Sequence, residues 1–158
     1  MNTAVLAILL WCAVIIFFIV AYGTFRCRRR SFTDPFSRTL FPKRFRHFLD
    51  GWGLFHFIFY ALLTHMFPQY WLLIFGLGVS WEVIESLTKS HPFYLSKCNI
   101  HVNTDQQSRW WYGRYQDVIM NTLGQMFGYY MYTKGYSWWI YVPMYAIVIL
   151  SHLIAFGV

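Results

Sequence analysis

Five apolar stretches divide the chain, and the polar residues collect between them. The first runs from Thr3 to Tyr22 without a single charge. An α-helix rises 1.5 Å per residue, so about twenty apolar residues cross the hydrocarbon core of a bilayer. The second stretch, Trp52 to Phe67, is closed by Pro68, and the third, Tyr70 to Leu87, by Lys89 and Pro92. A polar segment from Thr88 to about Gly113 follows. The last two stretches, Tyr115 to Thr133 and Tyr136 to Phe156, are split by Lys134-Gly135. The pattern predicts an all-α, polytopic membrane helix bundle with about five transmembrane helices, folded as a single membrane domain over 1–158. The short connections at Pro68 and at Lys134-Gly135 predict that the helices they join are antiparallel neighbours. The first stretch is read as a retained span. It lacks a basic leader, and arginines follow it where a signal peptide would carry a small-residue cleavage site.

Charge adds an orientation. Arg26, Arg28, Arg29, Arg30, Arg38, Lys43, Arg44 and Arg46 all lie between the first and second stretches, and Lys89, Lys97, Arg109 and Arg114 between the third and fourth. Only Lys134 falls in a connection on the other side. The positive-inside bias then places the amino terminus outside or in a lumen, with both long loops in the cytoplasm of an endoplasmic-reticulum or other cellular membrane. The net charge of +7 is explained by topology and anionic lipid, and no nucleic-acid-binding motif accompanies it. Charged residues are 12% of the chain, about half the usual share, and 158 residues are too few to add a soluble domain to the expected spans. Cys12, Cys27 and Cys98 show neither CxxC nor Cys/His spacing, so neither a disulfide framework nor a structural zinc site is expected.

Against that apolar background the acids stand out. The chain has six Asp and Glu, and Glu82, Glu85 and Asp117 lie inside membrane-crossing stretches. A charge at that depth costs roughly 2.5–3.5 kcal/mol even on the lenient insertion scale, so it marks a functional site by default. Glu82 and Glu85 are spaced i, i+3, and Asp117 and Asn121 i, i+4, so each pair shares a helix face. With the predicted topology, His56, Glu82, Glu85, Asp117 and Asn121 arrive at one depth on the cytoplasmic side. Two Glu, one Asp and an Asn carbonyl make an oxygen-only set suited to Ca²⁺, Mg²⁺ or Mn²⁺. Plainer roles exist for each residue. Asp50 before Gly51-Trp52 reads as an N-cap. Asn121 reads as interhelical glue, and Gly124 with Gly128 as a packing face. A lone His56 reads as a hydrogen-bonded buried histidine. None of these accounts for the shared depth.

The residues also resemble a family. His47-Phe48-Leu49-Asp50-Gly51-Trp52-Gly53-Leu54-Phe55-His56-Phe57 is similar to the segment of base-exchange phosphatidylserine synthases in which an Asp precedes a His-Phe pair. Ser80-Trp81-Glu82-Val83-Ile84-Glu85 resembles their Trp-Glu-x-x-Glu helix. Trp110-Trp111 and then Asp117-Val118-Ile119-Met120-Asn121 resemble their Trp-rich segment and the Asp-led helix after it. Where that family has a second acid this chain has Asn121, and Asp117-x-x-x-Asn121-Thr122-x-Gly124 is closer to small VanZ-like membrane proteins. The resemblance covers residues 47–130, a catalytic core flanked by the anchor helix 3–22 and the C-terminal helix 136–156.

The resemblance implies calcium-dependent headgroup exchange. A serine-like hydroxyl compound attacks the phosphodiester of phosphatidylcholine or phosphatidylethanolamine and displaces the headgroup. Under it, Ca²⁺ (or Mg²⁺ or Mn²⁺) is held by Glu82, Glu85, Asp117 and Asn121. His56 takes the proton of the incoming hydroxyl, and Asp50 joins it in the catalytic set. Arg109 and Arg114 hold the phosphate, with a role in topology as the alternative. Trp110, Trp111 and Tyr112 sit at the interface or against a choline headgroup. The expected partners are the membrane and a phospholipid substrate, with room for a homo-oligomer. Two other readings stay open: a VanZ-like protein that binds a lipid or amphiphile without turnover, and a cation pathway. The second is disfavoured by a far half that is apolar and aromatic apart from Thr64, His65 and Gln69.

Overall fold

The computed structural model describes residues 2–28, 34–41, 49–88 and 114–156. Five α-helices occur in them: α1 (Thr3–Arg28), α2 (Gly51–Met66), α3 (Trp71–Thr88), α4 (Tyr115–Thr133) and α5 (Tyr141–Phe156). Short 3₁₀ turns at Pro35–Ser37, Pro68–Tyr70 and Trp138–Ile140 precede α2, α3 and α5. Among the described residues there is no strand beyond an isolated antiparallel bridge between Thr39 and Asp50. The all-α class read from the apolar pattern is the one observed.

The helix ends follow local chemistry. Asp50 caps α2, its carboxylate accepting the Gly53 N–H at 2.7 Å. Pro68 stops α2 because proline cannot donate the next hydrogen bond and its ring displaces the preceding turn. Tyr136, expected to open the last helix, precedes it instead: the chain makes a turn at Trp138–Ile140 and becomes α-helical at Tyr141.

Among the described residues three segments are long and apolar enough to cross a membrane, namely Thr3–Tyr22, Pro68–Leu87 and Trp138–Phe156. The other two expected spans differ for clear reasons. α2 has 16 residues, about 24 Å of helix. α4 carries Asp117, Asn121 and Gln125 on its buried face.

α2 is the centre of the bundle. It packs most extensively on α4 and then on α5, and α3 also leans on α4. The hairpin partners α2 and α3 touch less, and α4 and α5 little. Neighbours in sequence are thus not the closest neighbours in space. The cause is a glycine face on α4: a Cβ built on Gly124 would collide with the Phe57 carbonyl, and one on Gly128 with the Ala61 carbonyl. Small residues let two helix backbones meet directly. Because 124 lies against 57 and 128 against 61, α2 and α4 run in the same direction. On its other sides α2 buries Phe59, Tyr60 and Leu63 with Ile8 of α1 and Ile74 of α3, and Ile58, Ala61 and Leu62 with Tyr141 and Val148 of α5.

One buried acid escaped the sequence reading. Asp34 accepts hydrogen bonds from the Tyr22 hydroxyl (2.6 Å), the Trp52 indole N–H (2.8 Å), the Ser37 hydroxyl and the Phe36 N–H. It therefore ties the end of α1 to the start of α2. Asp34-Pro35 is a readable signal, a capping residue before proline at the first helical position. Asp34→Ala is expected to cost about 3 kcal/mol, because several donors lose a charged acceptor inside the protein. Tyr22→Phe, which removes one bond, should cost about 1 kcal/mol. Denaturant unfolding in detergent micelles measures both, and equal losses would contradict the hub.

Candidate cation site

The structure brings His56 of α2, Glu82 of α3 and Asp117 of α4 together. One donor atom from each lies within 4.8 Å of the others, and Glu82 and Asp117 are buried. Three separate helices supply the three groups, so the site exists only when α2, α3 and α4 are packed. Asn121 stands one turn below Asp117 and meets His56, with its Oδ1 2.9 Å from His56 Nδ1. Taking Asn121 Oδ1 as the acceptor, the His56 proton sits on Nδ1 and Nε2 carries the lone pair. His56 Nδ1 also lies 3.7 Å from Glu82 Oε1, and its ring stacks over Tyr60.

Arg114 organises the cluster. Its Nη1 bonds Asp50 Oδ2 and its Nε bonds Asp117 Oδ2, both at 2.8 Å. Its backbone N–H donates to Glu82 Oε2 at 3.0 Å. Two carboxylates thus share one guanidinium, and the third is held by the backbone N–H of the same residue. Burial lifts the Asp50 carboxyl above the ordinary aspartate range, and Arg114 pulls it back only in part.

Each of the two central acids has one oxygen held by Arg114 and one left over. Glu82 Oε1 and Asp117 Oδ1 are buried without a hydrogen-bond partner, as are Asn121 Nδ2, Gln125 Nε2, Thr64 Oγ1 and His152 Nε2 among the described residues. A buried polar atom left without a partner costs about 1–3 kcal/mol, and more when it is charged. Two unpartnered carboxylate oxygens beside an imidazole therefore fit a hard cation, which takes oxygen ligands from one or two carboxylates and completes its shell with water or phosphate.

His56 lies beside Glu82 and Asp117, with one ring nitrogen within 4.8 Å of a carboxylate oxygen of each. Glu85, half-buried one turn beyond Glu82, is not in that three-donor group. The Asn121 carbonyl, expected as a ligand, faces the His56 ring. Asp50 is the N-cap of α2 and a partner of Arg114, the plainer of the roles considered for it. Arg114, expected on a substrate phosphate, is engaged with Asp50 and Asp117 because those acids are its nearest buried counter-charges. Arg109, Trp110, Trp111 and Tyr112 lie outside the described residues. Gln125 was missed, although its spacing of eight from Asp117 puts it on the same helix face.

Comparison with protein-family models, curated proteins and solved structures finds no match for this chain.

Proposed function

We propose that this protein is a membrane-embedded phosphatidyltransferase of the base-exchange type, binding a phospholipid phosphate through a divalent cation at Glu82 and Asp117. The observation that carries this reading is the pair of unpartnered, buried oxygens, Glu82 Oε1 and Asp117 Oδ1, next to an imidazole. A bound Ca²⁺, Mg²⁺ or Mn²⁺ would supply counter-charge for a phosphodiester.

The side chains supply the rest. Asn121 orients His56 by accepting its Nδ1 proton, which leaves Nε2 to take the proton of an incoming hydroxyl. The same nitrogen then returns that proton to the departing choline or ethanolamine oxygen. Arg114 positions the acids: it draws Asp117 and Asp50 to one guanidinium and turns the free oxygen of each central carboxylate inward. The helix ends that carry the site adjoin the long basic segments in sequence, which favours a cytoplasmic site facing the anionic leaflet, with the amino terminus on the other side. The similarity of Asp50 to Phe57 and of Trp81 to Glu85 to the synthase segments agrees with this chemistry.

The test is incorporation of labelled serine, ethanolamine or choline into phosphatidylcholine by purified protein, with and without Ca²⁺. Metal-dependent exchange is expected. His56→Ala should lower it by about 10²–10⁴-fold, the usual contribution of a general base, while cation affinity changes by only a few fold. Absence of metal-dependent exchange with all three alcohols would leave the lipid-binding reading in its place. Exchange that persists in His56→Ala would remove His56 from the chemistry.

A further inference from the structure

The unpartnered polar atoms do not end at the cation site. Asp117, Asn121 and Gln125 recur every fourth residue on α4 and are all buried. His56, Tyr60 and Thr64 recur in the same way on α2. The two helices run in the same direction, with Gly124 at the level of Phe57 and Gly128 at the level of Ala61. Asn121 meets His56, so Gln125 lies near the level of Tyr60, and Thr64 lies further along the same line. α3 closes the groove with Gly78, whose Cα side meets the Tyr60 hydroxyl.

Three atoms along this line, Asn121 Nδ2, Gln125 Nε2 and Thr64 Oγ1, are buried with no protein partner. Their residues are only 3%, 6% and 1% exposed. Interhelical glue would pair such atoms with one another or with backbone. Amides and hydroxyls left over inside a protein are met by buried water, which needs two to four polar neighbours. The line is also long. Asp50 to Thr64 is about 21 Å of helix against a hydrocarbon core of about 30 Å. Beyond Thr64 comes His65, hydrogen-bonded to the Tyr141 hydroxyl at 3.1 Å. His65 lines an open cavity of about 440 Å³ with Tyr132, Tyr136 and Trp138 at the far end of the bundle. The apolar far half expected from the sequence is therefore interrupted by polar groups in its interior.

We infer that the groove between α2, α3 and α4 is a hydrated proton path, in which Asn121, Gln125 and Thr64 hold the waters that link the His56 cluster to the cavity at His65. Ionisable residues facing a bundle interior mark proton relays in membrane proteins, and here His56 and His65 stand towards the two ends of the line. Each transfer breaks one O–H or N–H bond and forms another, so a proton leaving one end is replaced at the other and no redox partner is needed. This inference stands apart from headgroup exchange, since Gln125 Nε2 and Thr64 Oγ1 make no hydrogen bond to either central carboxylate.

The experiment uses full-length protein in liposomes containing a pH-sensitive dye, with a potassium gradient and valinomycin setting the voltage and balancing the charge. Wild-type protein should acidify or alkalinise the lumen at least tenfold faster than protein-free liposomes. Gln125→Met and Thr64→Val keep side-chain volume but remove the polar atom, and each should slow the flux at least tenfold. Thr64→Ser should keep it. All variants should bind Mn²⁺ as wild type does, which shows that the bundle is folded and separates this test from that of the cation site. Flux no faster than empty liposomes, or unchanged flux in both Gln125→Met and Thr64→Val, overturns the inference.

Discussion

Glu82→Gln is expected to abolish cation binding and headgroup exchange together while leaving the bundle folded. The amide keeps the size of the carboxylate and can still accept the Arg114 N–H that Glu82 Oε2 accepts now. What it loses is a charge and the unpartnered oxygen Oε1. Changing groups that merely orient metal ligands costs 10–100-fold in affinity, so losing a ligand should cost about 100-fold or more. Stability without the cation should move the other way. Of three buried carboxylates only Asp50 and Asp117 bond the guanidinium, and removing a charge that is poorly compensated is neutral or stabilising. Manganese titration by electron paramagnetic resonance, beside thermal unfolding in chelator, reads both effects. A structural acid gives the opposite pair of results, with unfolding at lower temperature and Mn²⁺ affinity unchanged. That outcome would end the cation reading. Glu85→Gln provides the internal comparison: its side chain is outside the three-donor group, so its effect on affinity should be smaller than that of Glu82→Gln.

The second large effect is expected at the glycine face. Gly128→Val should cost about 3 kcal/mol or more, enough to remove most of the margin of a small domain. A Cβ at this position runs into the carbonyl group of Ala61. Backbone cannot swing aside as a long side chain can, so α2 and α4 must move apart along their whole contact. The same separation would part His56 from Asn121 and Asp117, so cation binding should fall with stability. Gly124→Ala should act in the same direction through the Phe57 carbonyl. Gly76→Ala is the control. Nothing lies within 4 Å of a Cβ there, and alanine is about 1 kcal/mol better than glycine inside a helix, so it should be neutral or stabilising. Unfolding in graded denaturing detergent distinguishes the cases: if Gly76→Ala and Gly128→Val behave alike, the helix contact does not depend on the glycine face.

Both predictions draw on features that differ in how far the chain alone reveals them. Helix number and approximate limits were legible because bilayer-length apolar runs and the breakers Pro68 and Gly135 act locally. The identity of the unusual residues was legible too, since an acid in an apolar run is costly wherever the helix packs. The i, i+3 and i, i+4 spacings depend only on helix geometry, so they placed Asp117 with Asn121 on one face before any packing was known. Glu82 and Glu85 shared a face by the same rule, but a shared face does not fix which of the two reaches a site.

Tertiary structure decided the rest. Which helices touch depends on surfaces that meet across long sequence separations, and the Gly124–Gly128 face joined α2 to α4 in preference to the hairpin partners. That choice put His56 beside Asn121 and inside the carboxylate cluster. It drew Arg114 onto Asp50 and Asp117, because a guanidinium near buried acids pairs with the closest of them whatever role its sequence context implies. It also lined up Gln125 and Thr64 inside the groove, where periodicity marks a face but only packing shows what that face meets. Local rules thus determined the elements and the chemistry they carry. The direct contact of two backbones at the glycines determined which of those groups meet.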